Sequence, residues 1–153
     1  MNINTGLRLV TGDLVCYLAD DDYYFPDWFE KAAAFFEKNP DKKVGFGRLK
    51  HSTDPKMDVS ESGTFSYAPG IVKEPMGVLD HNQVIHRRFD PIHKWSEDVG
   101  TVMNVDGWYF ASLANHYTFH PIDAWAAVKR EHGKNLQKCV SEYQGGQIGG
   151  LRE

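Results

Sequence analysis

The sequence predicts an α/β domain, a sheet covered by helices. Three features predict it. The stretch Leu14-Val15-Cys16-Tyr17-Leu18 is nearly continuous in its apolarity and stops abruptly at Asp20-Asp21-Asp22, as a strand buried on both faces of a parallel sheet does. Phe25, Trp28, Phe29, Ala32, Ala33 and Phe36 then recur at helical period along one stripe. Further short apolar runs and helical stretches alternate down the chain.

Taken in order, residues 5–10 end a helix that Gly12 stops, and the strand over 14–18 follows. Pro26 suits the first turn of the next helix, and Asp27 and Glu30 complement the positive end of its dipole. Asn39-Pro40-Asp41 ends it. Val44-Gly45-Phe46-Gly47 reads as a short strand. Residues 48–75, mixed and rich in Ser, Asp, Gly and Pro, read as a loop or hairpin excursion, with 64–67 an edge strand. Val78-Leu79 and 83–86 read as strand pieces around Asp80-His81, and 89–98 as loop or irregular helix. A helix over 106–116 has Asp106 at or near its N-cap. Residues 117–122 form a last strand, 124–143 have helical composition broken at Gly133, and the Gly-rich end frays. The domain is thus expected over 1–143, with a flexible tail at 144–153.

Composition excludes several classes. The 153 residues carry a net charge of −4, and Lys and Arg never run longer than a pair, so no basic patch for nucleic acid is expected. The apolar stretches are too short to span a bilayer, and the first residues lack the pattern of a signal peptide. Cys16 and Cys139 make neither a disulfide framework nor a metal-ligand spacing, which suits a reducing, cytoplasmic setting. Aromatic residues reach 13%, compatible both with core packing and with stacking on sugar rings.

Three adjacent carboxylates at a strand end repel one another. In open α/β sheets that rim is also where ligands bind. A hard divalent cation such as Mg²⁺ or Mn²⁺ relieves the repulsion and accepts oxygen ligands. A solvated acidic loop ahead of a helix N-terminus accounts for the run equally well. An EF-hand does not fit, because a loop starting at Asp20 places Phe25 where Gly is required and Lys31 where the bidentate Glu belongs.

The segment Thr11-Gly12-Asp13-Leu14-Val15-Cys16-Tyr17-Leu18-Ala19-Asp20-Asp21-Asp22-Tyr23-Tyr24-Phe25-Pro26-Asp27 resembles the DxD-bearing segment of the family 2 glycosyltransferases of GT-A fold. Downstream, Gly77-Val78-Leu79-Asp80-His81-Asn82-Gln83-Val84-Ile85-His86-Arg87-Arg88 is similar to the acceptor-side strand of the spore-coat polysaccharide branch. Val105-Asp106-Gly107-Trp108-Tyr109-Phe110, then Asn115-His116-Tyr117 and Pro121-Ile122-Asp123, continue the likeness in order. The resemblance covers roughly residues 4–123.

It implies the C-terminal portion of a GT-A (Rossmann-like) fold, a mixed sheet flanked by helices. It also implies an inverting hexosyltransferase that moves a sugar from a nucleoside diphosphate sugar to a carbohydrate acceptor hydroxyl, assisted by Mg²⁺ or Mn²⁺. Asp20, Asp21 and Asp22 would form the metal shell, with Asp20 also near the ribose and either Asp21 or Asp22 as the direct ligand, since the run permits two registers. Asp106 would be the general base, with Asp98, in the Glu97-Asp98 pair, as its rival. A capping role alone also accounts for Asp106. Asp80 and His81 would touch donor or acceptor hydroxyls, or serve only a turn. His86 and Arg87 would balance phosphate charge, or form a surface basic cluster with Arg88. His116 and His120 read as structural residues rather than ligands.

Family members begin with a nucleotide-binding unit that has no counterpart ahead of residue 4. The expectation is therefore a metal- and acceptor-binding half, paired with itself or a complementing chain along an exposed sheet edge. Two other readings stand: a truncated, non-catalytic carbohydrate-binding or subunit-interaction module, and an unrelated α/β domain with a solvated acidic loop.

Overall fold

The computed structural model describes residues 3–53, 64–95 and 105–132. Three helices, α1 (Ile3–Leu9), α2 (Trp28–Lys38) and α3 (Val105–Ala114), accompany six strands. The strands are β1 (Leu14–Cys16), β2 (Tyr23–Tyr24), β3 (Val44–Ser52), β4 (Phe65–Ser66), β5 (Val84–Arg87) and β6 (Phe119–Arg130). They form one mixed sheet in the order β1-β5-β3-β6-β2, with β4 pairing with β3 beside that path. The pair β3/β6 is parallel, and the other named pairs are antiparallel. An α/β domain with a mixed sheet flanked by helices is therefore the fold, as expected.

Alternation along the strands builds a core on each face. Val44, Phe46 and Val84 pack with Leu7, Tyr109, Phe110 and Leu113 from α1 and α3. Ile85, Ile122, Ala124 and Ala126 pack with Trp28, Ala32 and Phe36 from α2. Two glycines let α2 approach the sheet. A Cβ on Gly45 would lie 2.7 Å from Ile122, and one on Gly47 would lie 2.8 Å from both the Trp28 ring and the Ala124 carbonyl. Trp28 is fully buried by this fit, and its truncation to Ala is a loss of about 3–5 kcal/mol.

Several expectations need correction. β1 is not a doubly buried strand of a parallel sheet. It is a three-residue edge strand antiparallel to β5, in which Val15 alone is buried. The α2 stripe is narrower than its period suggested, because Phe29 is 49% exposed and packs edge-on against Tyr24. Pro26 and Asp27 precede α2, and the Asp27 side chain makes no capping hydrogen bond. β3 runs on to Ser52 rather than stopping at Gly47, because β4 and β6 both pair with its second half. Val78 and Leu79 lie in a turn whose N–H groups reach the Pro75 carbonyl, not in a strand.

The largest correction concerns residues 124–130. Their Ala-rich composition suggests a helix, yet they complete β6. Ala124, Ala126, Ala127 and Val128 are buried between β3, β2 and α2, so tertiary packing overrides local propensity. The expected break at Gly133, Asp98 and the expected tail at 144–153 all lie outside the described residues.

Candidate functional site

The site forms where β1 ends, where β6 ends, and where a 3-10 turn (His81–Gln83) leads into β5. After β1 the chain bends, and Asp22 N–H donates to the Ala19 carbonyl at 3.2 Å. The bend turns Asp22 inward. Its Oδ2 accepts from Asn82 Nδ2 at 2.6 Å and its Oδ1 from the Arg130 N–H at 2.7 Å. Fully buried Asn82 also accepts from the Ala19 N–H at 3.0 Å, so it clamps the acidic run to the turn. Burial pushes the Asp22 carboxyl above its ordinary range. The charges of Asp21 and Asp80 push the same way, against the two hydrogen bonds. Asp21 points elsewhere, to His132 Nε2 at 2.9 Å, and that bond holds its carboxyl below the usual range. Asp20 is exposed.

The turn is built by a capping box. Asp80 Oδ1 accepts from the Asn82 N–H at 3.0 Å, and Gln83 Oε1 accepts from the Asp80 N–H at 3.1 Å. Gln83 Nε2 donates to the Gly47 carbonyl, which pins the turn to β3. Lys129 Nζ donates to Asp80 Oδ2. His81 Nδ1 lies 3.4 Å from Asp80 Oδ1 and 3.4 Å from Asp106 Oδ2, so one imidazole stands between two carboxylates. Asp106 sits in the first turn of α3, where its Oδ1 accepts from the Gly107 N–H at 2.9 Å.

Electrostatics follow from this string of alternating groups. Burial opposes ionisation of Asp106, but the hydrogen bond and charge of His81 outweigh it and hold the carboxyl below its ordinary range. Burial likewise opposes protonation of His81, and the two carboxylates outweigh it, raising the imidazole. Lys129 is raised for the same reason, with Asp80 as its main partner.

Asp80, His81 and Asp106 each offer a ligand atom, all within 4.8 Å of one another. Two carboxylate oxygens and an imidazole nitrogen fit a divalent ion such as Mn²⁺. An ion there would compete with Lys129 for Asp80. The exposed Asp20 and the outward Asp21 offer further oxygens.

Of the residues singled out from sequence, Asp22, Asp80, His81 and Asp106 thus come together, with Asp20 and Asp21 beside them. His86 and Arg87 do not join, and the expected phosphate contacts have no geometry here. His86 is buried on the α1/α3 face and stacks on Phe89. Its Nδ1 donates to the Arg87 carbonyl at 2.7 Å, and its Nε2 accepts from the Tyr17 hydroxyl at 2.9 Å. Burial lowers its pKa to about 4, so the ring is neutral at pH 7. Arg87 donates to the carbonyls of Phe36 and Lys42, closing the C-terminal end of α2. His116 and His120 border a cavity of about 200 Å³ at the start of β6, with Lys42 and Lys43. Lys129 lies nine residue steps beyond His120 along β6, roughly 30 Å at about 3.3 Å per step.

Sequence reasoning missed Asn82, Lys129, Arg130 and His132. Asn82 lay inside a quoted motif, between residues read for their charge. The other three lay within a segment read as helix, and a strand reading would have carried them to the rim where the acidic run and the turn lie.

The profile of the family described as glycosyl transferase family 2 matches residues 1–89, more than half of the chain. The chain is also 26% identical over 130 residues to Protein CgeD of Bacillus subtilis (strain 168), an overlap covering 79% of this chain and 30% of that protein. It therefore spans under a third of the length of that curated relative. Among the described residues no helix is long and apolar enough to cross a membrane. The helix-flanked mixed sheet is consistent with a GT-A domain, and with the family profile over its first 89 residues this chain belongs to glycosyl transferase family 2.

Proposed function

We propose that this domain transfers a sugar from a nucleoside diphosphate to an acceptor hydroxyl with inversion, with Asp106 as general base. The carrying observation is the continuous chain Asp22–Asn82–Asp80–His81–Asp106, which joins the acidic run to an aspartate held ionised. The acceptor oxygen bonds to the anomeric carbon as the bond to the diphosphate oxygen breaks, and the hydroxyl proton passes to Asp106. The lowered pKa makes Asp106 a weak base, suited to a proton that becomes acidic late in the displacement. His81 orients the carboxylate. Asp22 fixes the loop, while Asp20 and Asp21 hold Mg²⁺ or Mn²⁺. The bound ion would neutralise charge on the departing diphosphate.

Asp106 cannot be metal ligand and base at once, which gives a direct test. If it is the base, Asp106→Asn abolishes transfer but keeps the rise in melting temperature with Mn²⁺ and a nucleoside diphosphate, whereas Asp21→Ala loses that rise. Loss of the rise in Asp106→Asn would assign it to the metal instead. No rise with any common nucleoside diphosphate would favour a non-catalytic carbohydrate-binding or interaction module. The short edge strand β1 also supports pairing with a second copy or a complementing chain, which sedimentation at rising concentration tests. The two cysteines, which form no framework, support a cytoplasmic setting.

A further inference from the structure

We propose that Ser66, His51 and Glu131 form a second, serine-based acyl-transfer site for carboxylic esters. The three residues come from separate segments: β3, β4 and the residue that follows β6. His51 Nε2 lies 2.7 Å from Ser66 Oγ, and His51 Nδ1 lies 3.0 Å from Glu131 Oε1. An ionised carboxylate only accepts, so it fixes the proton on Nδ1 and leaves Nε2 free to accept from the Ser66 hydroxyl. Nucleophile, base and orienting carboxylate therefore stand in the order that activates a serine.

The fold holds this arrangement from both sides. The Glu131 N–H donates to the Ser52 carbonyl at 2.7 Å, and the His51 N–H donates to the Thr64 carbonyl at 2.9 Å. The His51 side chain is 22% exposed, which shields the ring yet leaves the dyad open to a ligand. Ser66 lies on β4, a short strand paired to β3 beside the main sheet path, and is half-buried.

Ser66 Oγ attacks the ester carbonyl carbon while its proton moves to His51 Nε2. The tetrahedral adduct collapses, the C–O bond to the alcohol breaks, and His51 returns the proton to the departing alkoxide. Water then gives a proton to the same nitrogen and attacks the acyl carbon; the acyl–Oγ bond breaks, and His51 returns that proton to Ser66 Oγ as the carboxylic acid leaves. Glu131 faces Nδ1–H throughout and stabilises the imidazolium.

The test treats the full chain with a fluorophosphonate and, separately, with p-nitrophenyl acetate. The expected result is a single phosphonyl adduct mapped by mass spectrometry to Ser66, with a p-nitrophenol burst. Ser66→Ala loses both, His51→Gln slows the burst by ~10²-fold or more, and Glu131→Gln slows it at least ten-fold. The Glu131 side chain is 45% exposed, so Glu131→Gln keeps the test open should another variant fail to fold. An adduct elsewhere, no adduct, or a burst unchanged in Glu131→Gln and Ser66→Ala would reduce the three contacts to a cross-strand hydrogen-bond set and overturn the proposal.

Discussion

The 3-10 turn that holds His81 and the strand that holds His86 are consecutive in the chain, and their imidazoles meet opposite surroundings. His81 lies at the sheet rim between two carboxylates, which raise its affinity for a proton above what burial alone would allow. His86 lies in the α1/α3 core against Tyr17, Tyr109 and Phe89, and burial drives its pKa to about 4. Strand alternation sends His86 inward on the face of Val84, while the capping box turns His81 outward toward α3. Residue type thus says little about chemistry until neighbours are known: one ring serves a charge network and the other a neutral hydrogen-bonded core.

The comparison breaks first at the rim. Asp106→Asn, which removes the carboxylate that His81 faces across the rim, is expected to lower transfer ~10²–10⁴-fold in a donor-turnover assay. The next effect is on stability against pH, and the two histidines carry opposite signs. His86 has a folded pKa of about 4 below an ordinary 6.5, so the unfolded chain binds more protons between those values. Its contribution, about 3 kcal/mol at neutral pH, is lost as pH falls from 6.5 toward 4. His81 has a raised folded pKa, so its contribution is full below pH 6.5 and fades as pH rises through the folded value. Urea unfolding across pH should show His86→Gln flattening the acid limb and His81→Gln flattening the neutral-to-alkaline decline.

A smaller change sharpens the link between the acidic run and the turn. Asn82→Ala leaves Asp22 Oδ2 without its buried donor and is expected to cost about 2 kcal/mol in urea unfolding. It should also reduce the thermal shift with Mn²⁺ and nucleoside diphosphate. The least effect is expected at Arg87→Met, which removes the guanidinium donors to Phe36 and Lys42 at the end of α2. A loss of about 1 kcal/mol with transfer unchanged would place Arg87 with the scaffold. A loss of donor affinity would restore the phosphate role expected from sequence.

Much of the frame was legible beforehand. The apolar run ahead of Asp20, the Trp28–Phe36 stripe and the helix behind Asp106 are local patterns, and local patterns survive folding. The second half of β6 was not legible, because its alanines are strand residues only by virtue of lying between β3 and β2. That one misreading hid Lys129 and Arg130, and with them the reason the acidic run and the turn meet. The fate of His86 was hidden too, since its burial comes from α1 and α3, far apart in sequence.

Paramagnetic broadening by Mn²⁺ tests most directly whether the acidic run and Asp106 share one cleft. With a nucleoside diphosphate present, substoichiometric Mn²⁺ should broaden the amide resonances of Asp20–Asp22 together with those of Asp80, His81 and Asp106, sparing His116 and His120. Broadening confined to the acidic run, with Asp80 and Asp106 left sharp, would contradict the account.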